Sequence, residues 1–395
     1  NEMRKLHKKY PTYHTLHPLV HTQTTYSLGL SLAQEIDPFV FNIIKDIVPH
    51  SELLEHLQYT RSLYTLEGHY QNLLNYDIPS TPRNNSQAYR LALQSTRDAF
   101  KLAHPVNSIS FDELASVPFI PSSSAGHTYI GTKGSPGNQA RAIARAVATI
   151  RSLPEQPNWK LNYKYTPDIA YARTQLGLLT APKIRHVWGK AFHNIILEGM
   201  TAAPLIKAYS TGEYPITTGI HMFKQLPTLI ANQFDPSVDT TVYCLDIKGF
   251  DQTPQEWMIN DAFDILRDNI RFPSEIEALC FEFSKHFFIH TPVKMPDGML
   301  WCKHLGVPSG SYFTQLIDSI VDHLLMNFIQ IRIWGKPLPT HVLGDDSLFA
   351  IPTSLAVSID DIAKFAKQIG FTISVEKSKM TNEPKQVEYL GHFEP

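Results

Sequence analysis

From Thr241 onward, short apolar runs rich in β-branched residues alternate with segments of helical periodicity. A strand at TVYCLDI precedes a helix over 255–270, and the loop GVPSGSYF leads into a longer helix. The run HVLGDDSLFA then predicts a hairpin, because Gly and Asp tolerate tight turns. A helix over 358–369 and a strand at GFTISVEKSKM follow. This order predicts an α+β fold in which helices pack against an antiparallel sheet.

The first part of the chain gives fewer indications. Residues 1–120 alternate helical stretches, such as Phe39–Leu57 and Gln87–Leu102, with polar breaks and contain no catalytic motif. A loop rich in Ser and Gly, PSSSAGHTYIGTKGSPG, precedes the predicted helix RAIARAVATIRSL. With 395 residues, 43% of them hydrophobic, the chain is long enough for one large enzyme with subdomains.

Charge is distributed unevenly along the chain. The net charge is −2, yet residues 123–190 contain ten Lys or Arg residues against two acidic ones. This segregation predicts a positively charged face or channel for a polyanion. A solvated basic surface is the alternative.

Composition also limits the cellular setting. No apolar run approaches the roughly 20 residues that a membrane span needs, and no signal peptide is visible. The three cysteines are too far apart in sequence to indicate a disulfide framework or a cysteine zinc site: Cys244, Cys280 and Cys302. A reducing, intracellular setting without a membrane is therefore expected.

Two pairs of acidic residues lie at the edges of predicted strands. Asp246 ends the first strand and Asp251 follows five residues later, whereas Asp345 and Asp346 occupy the hairpin. Carboxylates on different strands of one sheet can bind two Mg²⁺ ions, which prefer oxygen ligands and promote phosphoryl transfer. Each pair alone is a weak signal, since GDD also suits a turn without any function.

The motifs taken together resemble those of viral RNA-dependent RNA polymerases, most closely the polymerases of partitivirus-like double-stranded RNA viruses. LDIKGFDQT resembles motif A, GVPSGSYFTQLIDS motif B, VLGDDSLFA motif C, GFTISVEKS motif D and VEYLGH motif E. Upstream, APKIRHVWG is similar to the basic motif F and SSSAGHTYIGTKG to the template-entry motif G. The resemblance covers residues 120–395.

The resemblance implies a right-hand polymerase fold. It assigns 1–120 to a helical N-terminal or fingers extension, 121–240 to fingers, 241–272 and 306–395 to palm, and 273–305 to a fingers insertion. Because the chain stops directly after motif E, the thumb is expected to be largely missing. We therefore expect residues 1–395 alone to be inactive or poorly processive.

The resemblance also assigns roles to individual residues. Metal binding and catalysis fall to Asp246, Asp345 and Asp346, with two Mg²⁺ ions that Mn²⁺ could replace, and leaving-group protonation falls to Lys377. Binding of the nucleotide and its ribose involves Asp251, Ser309, Gly310, Thr314, Asp318, Arg173, Lys183 and Arg185. Template binding involves Ser123, Ser124, Gly126 and Lys133.

Several alternatives remain open from the sequence. Ser309 and Gly310 could simply cap the helix that follows them. Lys377 and Lys379 could both be solvated surface residues. Asp318 stands where many RNA polymerases have Asn, beside Asp251 in the expected ribose pocket. Because two carboxylates in one site cannot both ionise cheaply, we expect one to be protonated or a basic, Ser or Thr side chain to lie between them.

The expected activity is copying of an RNA template from NTPs, inside a virion or in the host cytoplasm, with RNA and a capsid protein as partners. Reverse transcriptases share the acidic residues but have a bulky aromatic residue in place of Asp251 and an aromatic-x-Asp-Asp turn, whereas this chain has Gly344 before the acidic pair. A non-catalytic RNA-binding remnant is disfavoured because every expected acid is present.

Overall fold

The computed structural model describes residues 13–22, 24–26, 37–61, 64–163, 165–173, 175–180 and 184–393. Within these, the helices are α1 (Pro38–Ile44), α2 (His50–His56), α3 (Leu66–Leu74), α4 (Gln87–Ala99), α5 (Asn138–Ser152), α6 (Phe192–Thr211), α7 (Leu226–Ala231), α8 (Glu256–Arg267), α9 (Glu275–Ile289), α10 (Thr314–Trp334) and α11 (Ile359–Ala366). The strands are β1 (His17–His21), β2 (Tyr59–Arg61), β3 (Val106–Asn107), β4 (Asp168–Arg173), β5 (Leu176–Leu178), β6 (Arg185–Gly189), β7 (Thr240–Leu245), β8 (Ile270–Arg271), β9 (Thr291–Lys294), β10 (Met299–Lys303), β11 (Thr340–Leu343), β12 (Asp346–Pro352), β13 (Lys379–Thr381), β14 (Glu388–Tyr389) and β15 (His392–Phe393).

A four-stranded sheet has the order β11-β12-β7-β13, and every neighbouring pair in it is antiparallel. The central strand β7, with the sequence TTVYCL, is buried along its whole length, as expected for β-branched and aromatic residues between packed layers. Ser347 on β12 lies opposite Leu245 on β7. This register brings the start of β12 beside the end of β7.

Helix α10 lies against this sheet and contacts β11 and β12. Its residues from Leu316 to Ile331 are all buried, and the helix also packs against α4, α8 and α11. Leu316, Ile320 and Leu324 belong to the largest apolar core of the described structure. Because both faces of α10 are covered by protein, its polar side chains lie in the interior too.

A five-stranded sheet joins parts of the chain that are distant in sequence, in the order β1-β10-β9-β4-β6. Only the β4–β9 pair is parallel, and the other three pairs are antiparallel. The N-terminal strand β1 therefore pairs with the predicted insertion 273–305, which in turn pairs with the segment that precedes α6. Hydrogen bonds thus tie the first residues described to both middle segments.

Most of the predicted elements are confirmed. The α+β class is correct, and the strand at TVYCLDI, the hairpin, and the helices over 255–270 and 358–369 are present within one to three residues of the expected ends. The helical description of residues 1–120 is incomplete, since β1, β2 and β3 also lie there. No helix in the described part of the chain is long and apolar enough to cross a membrane.

The strand predicted over GFTISVEKSKM is wrong for most of its length. Ile373 makes only an isolated bridge to Ile247, residues 375–377 form a turn, and regular pairing begins at Lys379. The Ser378 N–H donates to the Ser374 carbonyl at 2.8 Å, which closes that turn. Ser and charged residues favour such local bonding over a continuous ladder.

Candidate active site

The acidic residues lie where neighbouring strands of the four-stranded sheet end. Asp246 follows the last residue of β7, and Gly344 and Asp345 form the two-residue turn between β11 and β12. Gly344 has a φ of 65°, and a glycine in this region at the first turn position matches the twist of a tight hairpin. The Gly344 N–H donates to Ser319 Oγ at 2.9 Å, which ties the turn to α10. The turn therefore holds Asp345 near Asp246.

Electrostatic interactions join the three carboxylates. Burial raises the pKa of Asp345, and the nearby carboxylate of Asp246 raises it further, whereas Arg185 and Lys377 lower it. Burial, together with repulsion from Asp345 and Asp246, raises the pKa of Asp346 to about 6. Such mutual elevation of pKa is expected of like charges that converge in a partly buried site. The end of this sheet is thus a centre of negative charge.

The donor set fits a divalent cation in its chemistry. Carboxylate oxygens are the ligands that Mg²⁺ prefers, and Mg²⁺ usually takes only one or two from the protein while keeping water and substrate phosphates. Within the described ranges, no three or more His, Cys, Asp or Glu residues lie close enough together to hold a metal ion, so Asp246, Asp345 and Asp346 do not form a complete metal site by themselves.

Asp251 is joined to the loop before α10. The Ser309 hydroxyl donates a hydrogen bond to Asp251 Oδ2, and the Val307 N–H donates to the Asp251 carbonyl at 2.6 Å. Burial raises the pKa of Asp251, and the bond from Ser309 opposes that rise. Of the alternatives left open for Asp251 and Asp318, a Ser side chain is observed on Asp251, but no bond from Ser309 to Asp318 is among the described contacts.

Asp318 lies in the interior close to Asp251. Burial, together with the carboxylates of Asp251 and Asp345, raises the pKa of Asp318 well above its usual value. Its Oδ1 atom is buried and has no hydrogen-bond partner among the described residues. Burial and the neighbouring carboxylates therefore favour the protonated form of Asp318.

The loop before α10 is shaped by close contacts rather than by capping from its side chains. Gly310 has a φ of 126°, and a β-carbon there would lie 2.2 Å from the Trp188 carbonyl oxygen. The N-cap residue of α10 is Phe313, without a side-chain cap. The capping role considered for Ser309 and Gly310 is therefore wrong. Thr314 begins the helix, and its hydroxyl donates to the Pro308 carbonyl at 3.1 Å.

Basic side chains approach the acids from the five-stranded sheet. Arg173 on β4 lies directly opposite Arg185 on β6 in the antiparallel register. Arg185 lowers the pKa of both Asp251 and Asp345, so its guanidinium lies near these carboxylates. Lys183, predicted to act with them, lies outside the described residues.

Lys377 and Lys379, which the sequence could not distinguish, differ in their surroundings. Lys377 lines a pocket together with Asp246 and Asp346, and its charge lowers the pKa of Asp345. Lys379 lines the same pocket but is engaged in an ion pair with Glu388. This geometry favours Lys377 as the lysine that could reach a bound substrate.

The predicted template-binding residues form one loop. The Lys133 ammonium donates to Ser123 Oγ at 2.7 Å and to the Ser124 carbonyl at 2.9 Å. A β-carbon at Gly126 would lie 2.7 Å from the Lys190 carbonyl oxygen, so this residue lets the loop approach the start of α6. The loop thus gathers the four residues, and Lys133 stabilises it from within.

Two buried acids of this region were missed at the sequence level. Asp322 is fully buried, and neither of its carboxyl oxygens has a hydrogen-bond partner in the described residues. Burial, with the nearby Asp345 and Asp346, raises its pKa well above the usual value. Glu198 on α6 is 2% exposed and contacts the loop before α10. Glu198 could have been noticed as an isolated acid in an apolar helical run, and Asp322 as a second acid one turn after Asp318.

Comparisons with known proteins agree with this geometry. Residues 46–393 match the family model described as viral RNA-dependent RNA polymerase. The RNA-directed RNA polymerase of Cryptosporidium parvum virus 1 (strain KSU-1) is 32% identical over 143 residues, which cover 35% of this chain and 27% of that protein. The corresponding enzyme of Atkinsonella hypoxylon virus (isolate 2H) is 35% identical over 107 residues, which cover 25% of this chain and 16% of that protein.

A more distant relative extends over more of the chain. The genome polyprotein of bovine enteric calicivirus NB is 26% identical over 231 residues, which cover 52% of this chain and 10% of the polyprotein. In all three pairs the aligned part is a minor fraction of the relative's own length. Since the family model spans most of the 395 residues, the chain belongs to the viral RNA-dependent RNA polymerase family.

Proposed function

We propose that this chain contains the fingers and palm of an RNA-directed RNA polymerase that copies an RNA template from NTPs. The observation that carries the proposal is the strand register in which Ser347 lies opposite Leu245. It brings the Gly344–Asp345 turn and Asp346, the first residue of β12, beside Asp246 at the end of an antiparallel sheet. In this proposal the four-stranded sheet and α10 form the palm, and segments 121–240 and 273–305 form the fingers.

Residues on three sides of the carboxylates would bind the substrate. Arg185 and Arg173, opposite each other on neighbouring strands, would bind the triphosphate, because guanidinium groups match phosphate geometry. Lys183 would join them. Asp251 and Ser309, already joined by a hydrogen bond, would bind the ribose, with Asp318, Gly310 and Thr314 shaping the pocket around it.

Asp246 and Asp345 would be the principal ligands of two Mg²⁺ ions, for which Mn²⁺ could substitute, and Asp346 would support them. Bound in this way, the ions would activate the attacking 3′-hydroxyl and stabilise the leaving oxygen. Lys377, in the pocket beside Asp246, would donate a proton to the departing pyrophosphate. Arg185 would hold the triphosphate in line for attack.

The remaining parts of the proposal concern partners. Template RNA would pass the loop of Ser123, Ser124, Gly126 and Lys133, next to the basic segment 123–190. Phosphate contacts there would make binding salt-dependent. Replication of a double-stranded RNA genome would place the protein within a virion or in the host cytoplasm, with a capsid protein as its partner.

The test is nucleotide addition by this chain on a primed RNA template, with each of the four NTPs and then each of the four dNTPs. Of the two outcomes expected for the chain alone, inactive or poorly processive, the proposal requires the second: Mg²⁺-dependent addition of single NTPs that falls by at least about a thousandfold in Asp345→Ala. The matched control is Asp264→Ala, because Asp264 is an exposed residue of α8 paired with Lys285 at 3.4 Å.

Three outcomes would contradict the proposal. Preferential use of dNTPs would indicate a reverse transcriptase, the absence of any nucleotide addition would exclude a polymerase activity of this chain, and full activity in Asp345→Ala would exclude the assigned site. Thermal unfolding of each variant shows whether a loss of activity reflects a loss of fold.

A further inference from the structure

A buried glutamate of α6 contacts the backbone of the loop that precedes α10. Glu198 Oε2 accepts hydrogen bonds from the Ser311 hydroxyl at 2.9 Å and from the Tyr312 N–H at 2.8 Å. The Ser311 hydroxyl oxygen also accepts from the Phe313 N–H at 3.1 Å. One carboxylate thus organises the turn from which α10 begins, where free backbone N–H groups would otherwise lack partners.

The same carboxylate has a cationic partner in the interior. Lys190 Nζ lies 3.6 Å from Glu198 Oε1 and 3.4 Å from Asp168, and all three side chains are 2% exposed. Burying an ion pair of this kind costs desolvation free energy. Removing one partner is nevertheless destabilising, because it leaves the other charge buried without compensation. Burial raises the pKa of Glu198, whereas Lys190 and the hydrogen bonds from Tyr312 and Ser311 lower it and so favour the ionised, acceptor-only form. The turn before α10 is in this way anchored to β4 and to the segment between β6 and α6.

The anchored turn lies directly next to the ribose-binding pair. Ser309, two residues before Ser311, donates its hydroxyl to Asp251 and accepts the Trp188 N–H at its carbonyl, at 2.7 Å. Gly310, which lies between Ser309 and Ser311, packs against the Trp188 carbonyl. With Trp188 on one side and Glu198 on the other, the loop has little freedom to rotate the Ser309 hydroxyl away from Asp251.

We propose that Glu198 is a positioning residue that sets ribose selectivity by fixing the turn that holds Ser309 on Asp251. This inference rests on the proposed polymerase function. Glu198 is 2% exposed and enclosed by Lys190, Ser311 and Tyr312, so its carboxylate is not accessible to a substrate. Its effect on the reaction passes through the position of Ser309.

The experiment compares wild type, Glu198→Gln and Ser311→Ala in nucleotide addition on a primed RNA template. For each protein, kcat/KM is measured with an NTP and with the matching dNTP. Glu198→Gln removes the charge opposite Lys190 while keeping the side-chain size, and Ser311→Ala removes one of the two donors. We expect the NTP-over-dNTP ratio to fall about tenfold in Glu198→Gln and severalfold in Ser311→Ala.

A purely structural role predicts a different result. Loss of folded protein would lower kcat/KM for NTP and dNTP by the same factor and leave their ratio unchanged. Glu282→Gln serves as the matched control, since Glu282 is an exposed glutamate of α9 paired with Arg267 at 3.9 Å. Its selectivity should equal that of wild type. The double variant Glu198→Gln/Ser311→Ala should lose no more selectivity than Glu198→Gln alone, because both changes disrupt the same contact between Glu198 and the turn before α10.

The outcomes distinguish this inference from the proposed function. An active wild type whose selectivity is unchanged in both single variants overturns the positioning role and leaves the polymerase intact. If Glu198→Gln does not fold, Ser311→Ala alone decides, since deletion of one hydroxyl leaves the fold possible. A wild type that adds no nucleotide overturns the function and the positioning role together.

Discussion

The α-carbon of Gly310 lies so close to the Trp188 carbonyl that a β-carbon would meet its oxygen at 2.2 Å. Trp188 is fully buried, and its N–H donates to the Ser309 carbonyl at 2.7 Å. The loop before α10 therefore packs closely against β6 at Gly310, and this contact places Ser309 beside Asp251. Several expected outcomes follow from this arrangement of loop, sheet and buried acids.

Gly310→Ala should lower nucleotide addition by at least about a hundredfold and destabilise the fold by about 2 kcal/mol. The reason is that the Trp188 carbonyl oxygen belongs to the backbone of β6 and cannot move away from the added β-carbon without distorting the strand. Activity assays and thermal unfolding measure the two effects. The control is Gly335→Ala at the end of α10, where φ is 74° and no atom lies within 4 Å of the added carbon. It should cost about 1 kcal/mol and leave activity unchanged. Equal activity of the two variants would refute the role of this contact.

Arg185→Ala should raise the KM for NTPs about tenfold while kcat changes less, because the guanidinium binds ground state and transition state alike. Since Arg185 lowers the pKa of Asp345 and Asp251, its removal should also shift the acidic limb of the pH–rate profile to higher pH. Steady-state kinetics across pH measures both. Arg267→Ala, an exposed arginine of α8, is the control. An unchanged KM would exclude Arg185 from the nucleotide site.

Asp318→Asn should keep ribose selectivity at neutral pH, because burial holds the pKa of Asp318 well above its usual value and the protonated acid resembles the amide. As pH rises toward that pKa, the wild type acquires a second negative charge beside Asp251 and should lose selectivity. The variant should not show this loss. The measurement is the NTP-over-dNTP ratio as a function of pH. Identical profiles for the two proteins would count against titration of Asp318 beside Asp251.

Asp322→Asn should stabilise the folded protein at neutral pH, by about 3 °C or more in Tm. Burial raises the pKa of Asp322 well above its usual value. A carboxyl whose pKa is higher in the folded state makes folding less favourable as pH rises above its unfolded pKa of about 4. The Tm difference between variant and wild type should therefore vanish below about pH 4 and increase with pH above it.

The control for Asp322→Asn is Asp264→Asn, whose side chain is 53% exposed. It should show no comparable gain at any pH, because solvent screens surface charges. Thermal unfolding across pH in the absence of divalent cations provides the data. A variant that is less stable than wild type at neutral pH would mean that an unrecorded partner pairs with the Asp322 carboxylate.

Sequence patterns alone predicted the α+β class, the main elements from β7 to α11 and the identity of the acids, because these features depend on local periodicity and turn chemistry. GDD predicted the hairpin, since Gly344 and the short acids suit a two-residue turn. The spacing of LDIKGFD, GVPSGSYF and GDD then indicated the family before any contact was known.

Features that depend on contacts between distant segments could be established only from the folded structure. It placed Arg173 opposite Arg185, paired β1 with the insertion, showed that Ser309 bonds to Asp251 rather than capping a helix, and distinguished Lys377 from Lys379. The buried acids Glu198 and Asp322 could not be assigned from sequence, because an acid in a helix reveals neither its burial nor its partners. Burial and the neighbouring charges set the pKa of each carboxyl, and both arise only when the strands and α10 pack together.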